Sequence, residues 1–251
     1  MIKVILSGCG GRMGKAVAAA VGNEVRIVAG VDVNAASIDA SDFPIYESIR
    51  EFSDKADVIV DFSHHSALPS LLDYAKATKT PVVVATTGHT DEELALMNEA
   101  ASEIAIFHSG NFSIGINLII NLAKQAARTL GADFDIEIIE KHHNKKLDAP
   151  SGTALMIANA VADERDESEY IYDRHSVRKA REPKEIGIHS VRGGSIVGEH
   201  EVIFAGANEV VSISHSAASR EIFANGALRA AIYLSGKSAG LYSMTDLIEG
   251  K

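Results

Sequence analysis

The sequence predicts an α/β chain of two domains: a doubly wound parallel sheet, then an α+β domain on a mixed open sheet. Three observations carry this. Short apolar strands alternate with helix-length segments from residue 3 to about residue 113. A glycine cluster, Gly8-Cys9-Gly10-Gly11-Arg12-Met13-Gly14, stands at the first strand-to-helix junction. After Gly131 the alternation stops, and a loop rich in histidine and lysine, a charged stretch and three strand-like runs follow.

Residues 3–7 form a short apolar strand, residues 15–21 an Ala/Val-rich helix, and residues 25–31 a second apolar strand closing on Asp32. With the glycine cluster between strand and helix, this is a βαβ unit of the Rossmann-like, dinucleotide-binding kind. Glycines there permit a tight turn and let a pyrophosphate approach the helix N-terminus. Asp32, at the end of the second strand, is placed to accept hydrogen bonds from ribose hydroxyls. The spacing is G-x-x-G-x-x-G on Gly8, Gly11 and Gly14 and departs from the common G-x-G-x-x-G. Strands over residues 56–62, 81–85 and 104–107, with helices over 68–77 and 91–102, continue the pattern. Small polar residues gather where these strands end, in Asp61-Phe62-Ser63, Ala85-Thr86-Thr87-Gly88 and Ser109-Gly110-Asn111-Phe112-Ser113. In an open parallel sheet the carboxyl ends line the ligand crevice.

Residues 116–130 read as a long apolar helix and residues 135–140 as an isoleucine-rich strand. Then comes the stretch Glu140-Lys141-His142-His143-Asn144-Lys145-Lys146-Leu147-Asp148-Ala149-Pro150-Ser151-Gly152-Thr153-Ala154. Ser151 is a good N-cap for a helix over residues 153–162. Two histidines and two lysines therefore sit on a loop entering a helix N-terminus, where unpaired amides and the positive dipole end favour a carboxylate or phosphate. An isolated His-His or Lys-Lys pair is ordinarily a solvated turn; the capped helix with Gly152 at its mouth turns the reading toward a site. His142 and Lys146, four residues apart, are the candidate proton donors. His143, Ser151, Gly152 and Thr153 are the candidate carboxylate holders. No metal is expected, since adjacent histidines without an HxxxH or carboxylate set make a poor zinc site.

Residues 163–184, with Arg165, Arg174, Arg178, Lys179 and Arg181 among acids, predict an exposed mobile connection. Residues 186–192, 196–205 and 208–215 predict three antiparallel strands with turns at Gly193-Gly194 and Gly206-Ala207-Asn208. A helix over 219–234 and an apolar tail should cross back to the first domain. The expected division is residues 1–113, with 221–251 packing back, and residues 114–220.

The chain has 251 residues and a net charge of −10, with 46% hydrophobic and 23% charged residues. The acidic balance argues against a nucleic-acid or anionic-membrane surface, which needs a basic face. No apolar run approaches the roughly twenty residues of a membrane span. Cys9 is the only cysteine, so no intrachain disulfide forms and a reducing cytoplasm is the expected compartment.

The segment from Glu140 to Ala154 resembles the signature E-x-H-H-x-x-K-x-D-A-P-S-G-T-A of the dihydrodipicolinate (4-hydroxy-tetrahydrodipicolinate) reductases. The glycine cluster, Asp61-Phe62-Ser63, Thr86-Thr87-Gly88, Asn111-Phe112-Ser113 and Ser219-Arg220 are similar to that family too, from one end of the chain to the other. The resemblance implies NAD(P)H-dependent reduction of a small dicarboxylate in the diaminopimelate branch of lysine biosynthesis. It implies His142 as proton donor, Lys146 as catalytic lysine, and His143, Gly152 and Thr153 on the substrate. It implies cofactor contacts at Gly8, Cys9, Gly10, Gly11, Arg12, Met13, Asp32, Ala85, Thr86, Thr87, Ser109, Gly110, Asn111 and Phe112. It also implies a homotetramer built through the second domain's sheet. One departure matters: Val33 and Asn34 follow Asp32 where many members carry a basic residue that meets the extra phosphate of NADPH. NADH, or use of both cofactors, is therefore expected. Two other classes stay open at this point: another NAD(P)-dependent oxidoreductase of similar domain plan, and a dinucleotide-sensing regulator.

Overall fold

The computed structural model describes residues 1–38 and 42–250. The chain forms two compact units, Met1–Ile114 with Glu221–Lys251, and Gly115–Arg220. In chain order the first stretch contains β1 (Ile2–Ser7), α1 (Arg12–Ala19), β2 (Val25–Val31), β3 (Ile45–Tyr46), β4 (Val58–Asp61), α2 (Leu68–Thr78), β5 (Val82–Val84), α3 (Asp91–Ala100) and β6 (Ala105–His108). The second unit contains α4 (Ile114–Leu130), β7 (Asp135–His142), α5 (Gly152–Ala162), β8 (Glu169–Ile171), β9 (Glu185–Arg192), β10 (Gly198–Ala205) and β11 (Val210–Ala217). The chain then returns to the first unit with α6 (Glu221–Leu234), β12 (Gly240–Tyr242) and α7 (Met244–Glu249).

The first unit is built on a parallel sheet of seven strands in the order β12-β6-β5-β4-β1-β2-β3. The order reverses between β1 and β4, which leaves a crevice at their carboxyl ends. Both faces are covered, as the near-continuous Val/Ile runs require. Alternation along β1 sends Val4 and Leu6 into a core with Val17 of α1 and Ala224, Ala227 and Leu228 of α6. Ile5 goes the other way, into a core with Leu68, Leu71 and Leu72 of α2 and Met97 of α3. Pro69 lies in the first turn of α2, where its missing N–H costs nothing, and Thr90 and Glu93 cap α3 reciprocally.

The second unit carries a mixed sheet in the order β11-β10-β7-β9-β8. Ile136 and Ile138 of β7 pack under α4 and α5, against Ile119, Ala123, Ile157 and Val161. Three expectations need correction. The Gly193-Gly194 turn does not close a hairpin: β9 pairs in parallel with β7, and β10 pairs antiparallel on the other edge of β7. Of the three expected strands, only β10 and β11 pair with each other, antiparallel. The charged segment after α5 is largely exposed, as expected, but contains an edge strand, β8, and three of its arginines are engaged: Arg165 donates to Pro183 O, Arg181 to Ile136 O and Glu185 O at 2.6 Å each, and Arg174 pairs with Glu185. Finally, β7 runs through His142, which is the strand's last residue and no part of the loop.

Gly226 shows how tightly α6 seats in the first unit, since a Cβ there would stand 1.7 Å from Phe112 O. Gly226→Ala is expected to destabilise that unit by about 1–3 kcal/mol in urea unfolding. Gly22→Ala is the control, because a Cβ at Gly22 meets nothing within 4 Å.

Candidate active site

In the first unit, β1 ends at Ser7 and Gly8, at φ +75°, turns the chain toward α1. A Cβ on Gly8 would lie 2.5 Å from Phe62 O, and one on Gly14 2.2 Å from Gly8 O, so the fold itself demands both glycines. Gly11 is the N-cap of α1, and no side chain caps that helix. Its first-turn amides are thereby left to an outside acceptor, with an anion preferred. Arg12 is exposed and Met13 half-buried at this end. Cys9 is buried, and burial followed by the nearby Asp32 carboxylate pushes its thiol pKa up. That suits a filler in the loop better than a nucleophile.

Asp32 accepts from Gly10 N on Oδ2 and from Asn34 N on Oδ1, each at 3.0 Å. Each oxygen keeps room for a further donor. Beside it opens a cavity of about 470 Å³, lined by Gly8, Gly11, Asp32, Val33, Glu47 and His64 among others. These residues fit a dinucleotide: an uncapped helix end for the pyrophosphate and a fixed carboxylate for a ribose. His64 and Glu47 escaped the sequence reading; the position of His64 just after Asp61-Phe62-Ser63 at a strand end was its signal.

The remaining residues expected at the cofactor stand at the ends of β5 and β6. Ala85 N donates to Asp61 O at 2.9 Å, and Thr86 Oγ1 donates to the buried Asp61 carboxylate at 2.7 Å. Ser109 Oγ donates to Asn111 O at 2.9 Å, and Asn111 Oδ1 accepts from Ser113 N at 2.8 Å. Phe112 is buried between Phe62 and Phe107. Thr86, Asn111 and Phe112 thus shape these loops, while Thr87 and Gly110 are their exposed members.

In the second unit the site is built around Glu140. Period-two alternation puts Glu140 and His142 on the same face of β7. His142 Nδ1 lies 2.6 Å from Glu140 Oε2. Arg192, at the end of β9, donates to Oε2 from Nη1 at 2.7 Å and to Oε1 from Nη2 at 2.6 Å. Ser151 N donates to Oε1 at 3.1 Å. Burial opposes the Glu140 charge, but hydrogen bonds from Arg192, His142 and Ser190 outweigh it and hold the pKa down at about 2. His200, on β10, packs edge-on against His142 with ring centroids 5.2 Å apart, and its Nε2 is 3.1 Å from Ser151 Oγ. Burial first, and then His142, push the His200 pKa down to about 4, so it is neutral at pH 7.

Ser151 caps α5 by accepting from Ala154 N at 3.1 Å, and it is itself buried. Its hydroxyl is thus occupied by the helix and His200, beneath Gly152 and Thr153. Gly152 is exposed at the mouth of α5, and a Cβ there would meet nothing within 4 Å. Lys146 Nζ lies 2.8 Å from Asp148 Oδ1, and Lys146 N donates to His143 O at 3.1 Å. Among the described residues no hydrogen bond joins His142 to Lys146. Arg192 Nη2 also donates to Asp148 O at 2.7 Å, tying this loop to the strand. His143 is half-buried, with its Nδ1 enclosed and lacking a hydrogen-bond partner. Among the described residues no cluster of three or more His, Cys, Asp or Glu is arranged to hold a metal.

The fold and these two sites define a pyridine-nucleotide-linked oxidoreductase. Residues 2–112 match the N-terminal domain of dihydrodipicolinate reductase and residues 115–248 its C-terminal domain. The chain is 55% identical over 252 aligned residues to the 4-hydroxy-tetrahydrodipicolinate reductase of Caldanaerobacter subterraneus subsp. tengcongensis, covering 99% of each. It is 50% identical to the enzyme of that name from Clostridium novyi, covering 100% of each. A dipicolinate-bound dihydrodipicolinate reductase from Paenisporosarcina sp. TG-14 superposes with a TM-score of 0.81 at 27% identity, covering 97% of each chain. The chain belongs to the dihydrodipicolinate reductase family.

The buried neutral His200 makes stability depend on pH. Unfolded, the group takes a proton near 6.5; folded, only near 4. Below 6.5 the unfolded state binds a proton that the folded state lacks, so this contribution is complete above 6.5 and is lost as pH falls toward 4. His200→Gln is expected to flatten that decline by about 3 kcal/mol across the window. Denaturant unfolding of both proteins at pH 7, 5.5 and 4 measures the difference.

Proposed function

We propose that this chain reduces 4-hydroxy-tetrahydrodipicolinate to tetrahydrodipicolinate in the diaminopimelate and lysine pathway. The reaction adds a hydride and a proton and loses the hydroxyl as water. The observation that carries the proposal is the placement of the His142 ring and the mouth of α5 on either side of one carboxylate, Glu140. A proton donor and an anion cradle held together suit a small unsaturated dicarboxylate. The relatives' names, and the dipicolinate in the Paenisporosarcina structure, support the same substrate class.

Bound by the glycine loop and Asp32, a nicotinamide cofactor supplies the hydride. The chain's own residues do the rest. His142 delivers the proton from Nε2, with Lys146 as its partner in acid catalysis. His143, Gly152 and Thr153 hold the substrate carboxylates over the capped α5 terminus, and the enclosed His143 Nδ1 calls for a hydrogen-bond partner from outside the chain. Ala85, Thr86, Thr87 and the 109–112 loop border the cofactor.

NADH serves at least as well as NADPH on this reading. Asp32 keeps acceptor room for both ribose hydroxyls, whereas a 2′-phosphate there would face like charge from Asp32 and from Glu47 on the same cavity. Val33 and Asn34 offer nothing to offset it; Arg12 is the remaining cation that would keep use of both cofactors open. A homotetramer, joined through the partly exposed face of the mixed sheet that carries Ile139, Lys141, Glu199 and Glu201, and a cytoplasmic setting complete the proposal. No helix among the described residues is long and apolar enough to cross a membrane.

Turnover with freshly generated substrate and each cofactor tests this directly. His142→Gln and Lys146→Ala are each expected to lower kcat by about 10²–10⁴ while leaving NADH affinity nearly unchanged, and Lys145→Ala to be mild. A larger loss with Lys145→Ala than with Lys146→Ala would show the register of the loop to be misassigned. For the cofactor, the ratio of kcat/KM should favour NADH or be near unity, and Val33→Arg should move it toward NADPH. A wild-type preference for NADPH above about tenfold, roughly 1.4 kcal/mol, contradicts the Asp32 argument.

A further inference from the structure

We propose that Glu140 is the positioning residue of this site. With one carboxylate it sets the tautomer and direction of His142 and locks that ring to the anion-binding mouth of α5. The inference rests on the reading of His142 as proton donor and deepens it.

What Glu140 can accept decides which nitrogen of the His142 ring is free. Glu140 is fully buried, and Arg192, His142 and Ser190 keep it ionised, so it has no proton to donate. An ionised carboxylate only accepts hydrogen bonds. His142 Nδ1 at 2.6 Å must therefore carry hydrogen, and the proton that leaves the ring leaves from Nε2. Room on that side is left by Gly198: a Cβ there would stand 3.2 Å from His142 Nε2. The neighbouring buried imidazole is a poor acid in its place, because His200 is neutral at pH 7 and its Nε2 is taken up by Ser151.

Glu140 Oε1 accepts from Ser151 N, the amide of the residue that caps α5. Arg192 spans both oxygens and reaches Asp148 O on the approach to the helix. Strand end, loop and helix mouth are thus registered on one group. Around His142 stand Glu140 on its own strand, Arg192 of β9 bound to the same carboxylate, and His200 on β10, while Lys146 and Asp148 pair with each other on the loop. Of these, Glu140 is the anion in contact with the ring.

Glu140→Gln keeps the size of the side chain and removes the charge. The expected result is a fall in kcat of about 10²-fold, with KM for substrate within a few-fold and NADH binding unchanged. Glu140→Asp, which keeps the charge with a shorter reach, should recover part of the rate. Retention of kcat within about threefold in Glu140→Gln overturns the proposal. Nitrogen-15 NMR of the wild-type protein provides a readout independent of turnover and of how the variants fold. The neutral His142 ring should be the Nδ1–H tautomer, and a dominant Nε2–H tautomer overturns the proposal. Absence of wild-type turnover with the dicarboxylate would instead count against the functional reading, while the NMR result would still decide the placement of His142 by Glu140.

Discussion

Glu140 receives hydrogen bonds from a guanidinium, an imidazole and a backbone amide at a point shut off from solvent. Taking a carboxylate out of water costs several kcal/mol, and the attraction of a single partner seldom offsets it. Here Arg192 binds both oxygens in the forked geometry that suits a carboxylate, and His142, Ser151 N and Ser190 complete the shell. Around this group the second unit takes its form. β9 lies directly beside β7, which brings Arg192 within reach, and β8 takes the other edge of β9, so β10 pairs on the far edge of β7. Its His200 then meets both His142 and Ser151. The mixed sheet and the polar centre are two views of the same requirement.

The glycines divide in an instructive way. Gly8, Gly14 and Gly226 are required by the protein's own backbone, since a Cβ at each would collide with a carbonyl oxygen. Gly152 is not: its φ is not left-handed and a Cβ would point into open space. The folded chain by itself gives no reason for a glycine there, whereas a ligand seated against the helix mouth does. The same distinction separates Ser151, which is buried and structural, from its exposed neighbour.

Much of the first unit was legible in the sequence because its signals are local. An apolar run, a glycine turn, an Ala/Val helix and a terminal acid follow one another within about thirty residues, as a βαβ unit requires. The second unit was less legible because its order is set by pairs distant in sequence. Gly193-Gly194 announces a reversal of direction, and no local signal says which strand lies alongside. β8 has only Tyr170 and Ile171 as apolar residues, with Tyr170 at the margin of the core, and the segment around it is held largely by arginine contacts to Pro183, Glu185 and β7. His142, His143 and Lys146 stood out in sequence because they are clustered. Arg192 and His200 did not, because each belongs to the site only through sheet pairing. The alternation of β7 did carry one unused clue, since residues 140 and 142 had to share a face.

The return of the chain to the first unit has a consequence for synthesis. The core on one face of the seven-stranded sheet contains Ala224, Ala227, Leu228, Ala230, Ala231 and Leu234, all from α6, and β12 pairs with β6. A ribosome that has released the first 114 residues has therefore delivered a sheet with one apolar flank covered in part by α1 alone. The second unit is contiguous in sequence and can close while that flank still waits. Translation thus reverses the usual N-terminal-first order of domain completion. A nascent chain stalled before α6 would expose a sticky valine-rich surface, the kind of surface that chaperones bind.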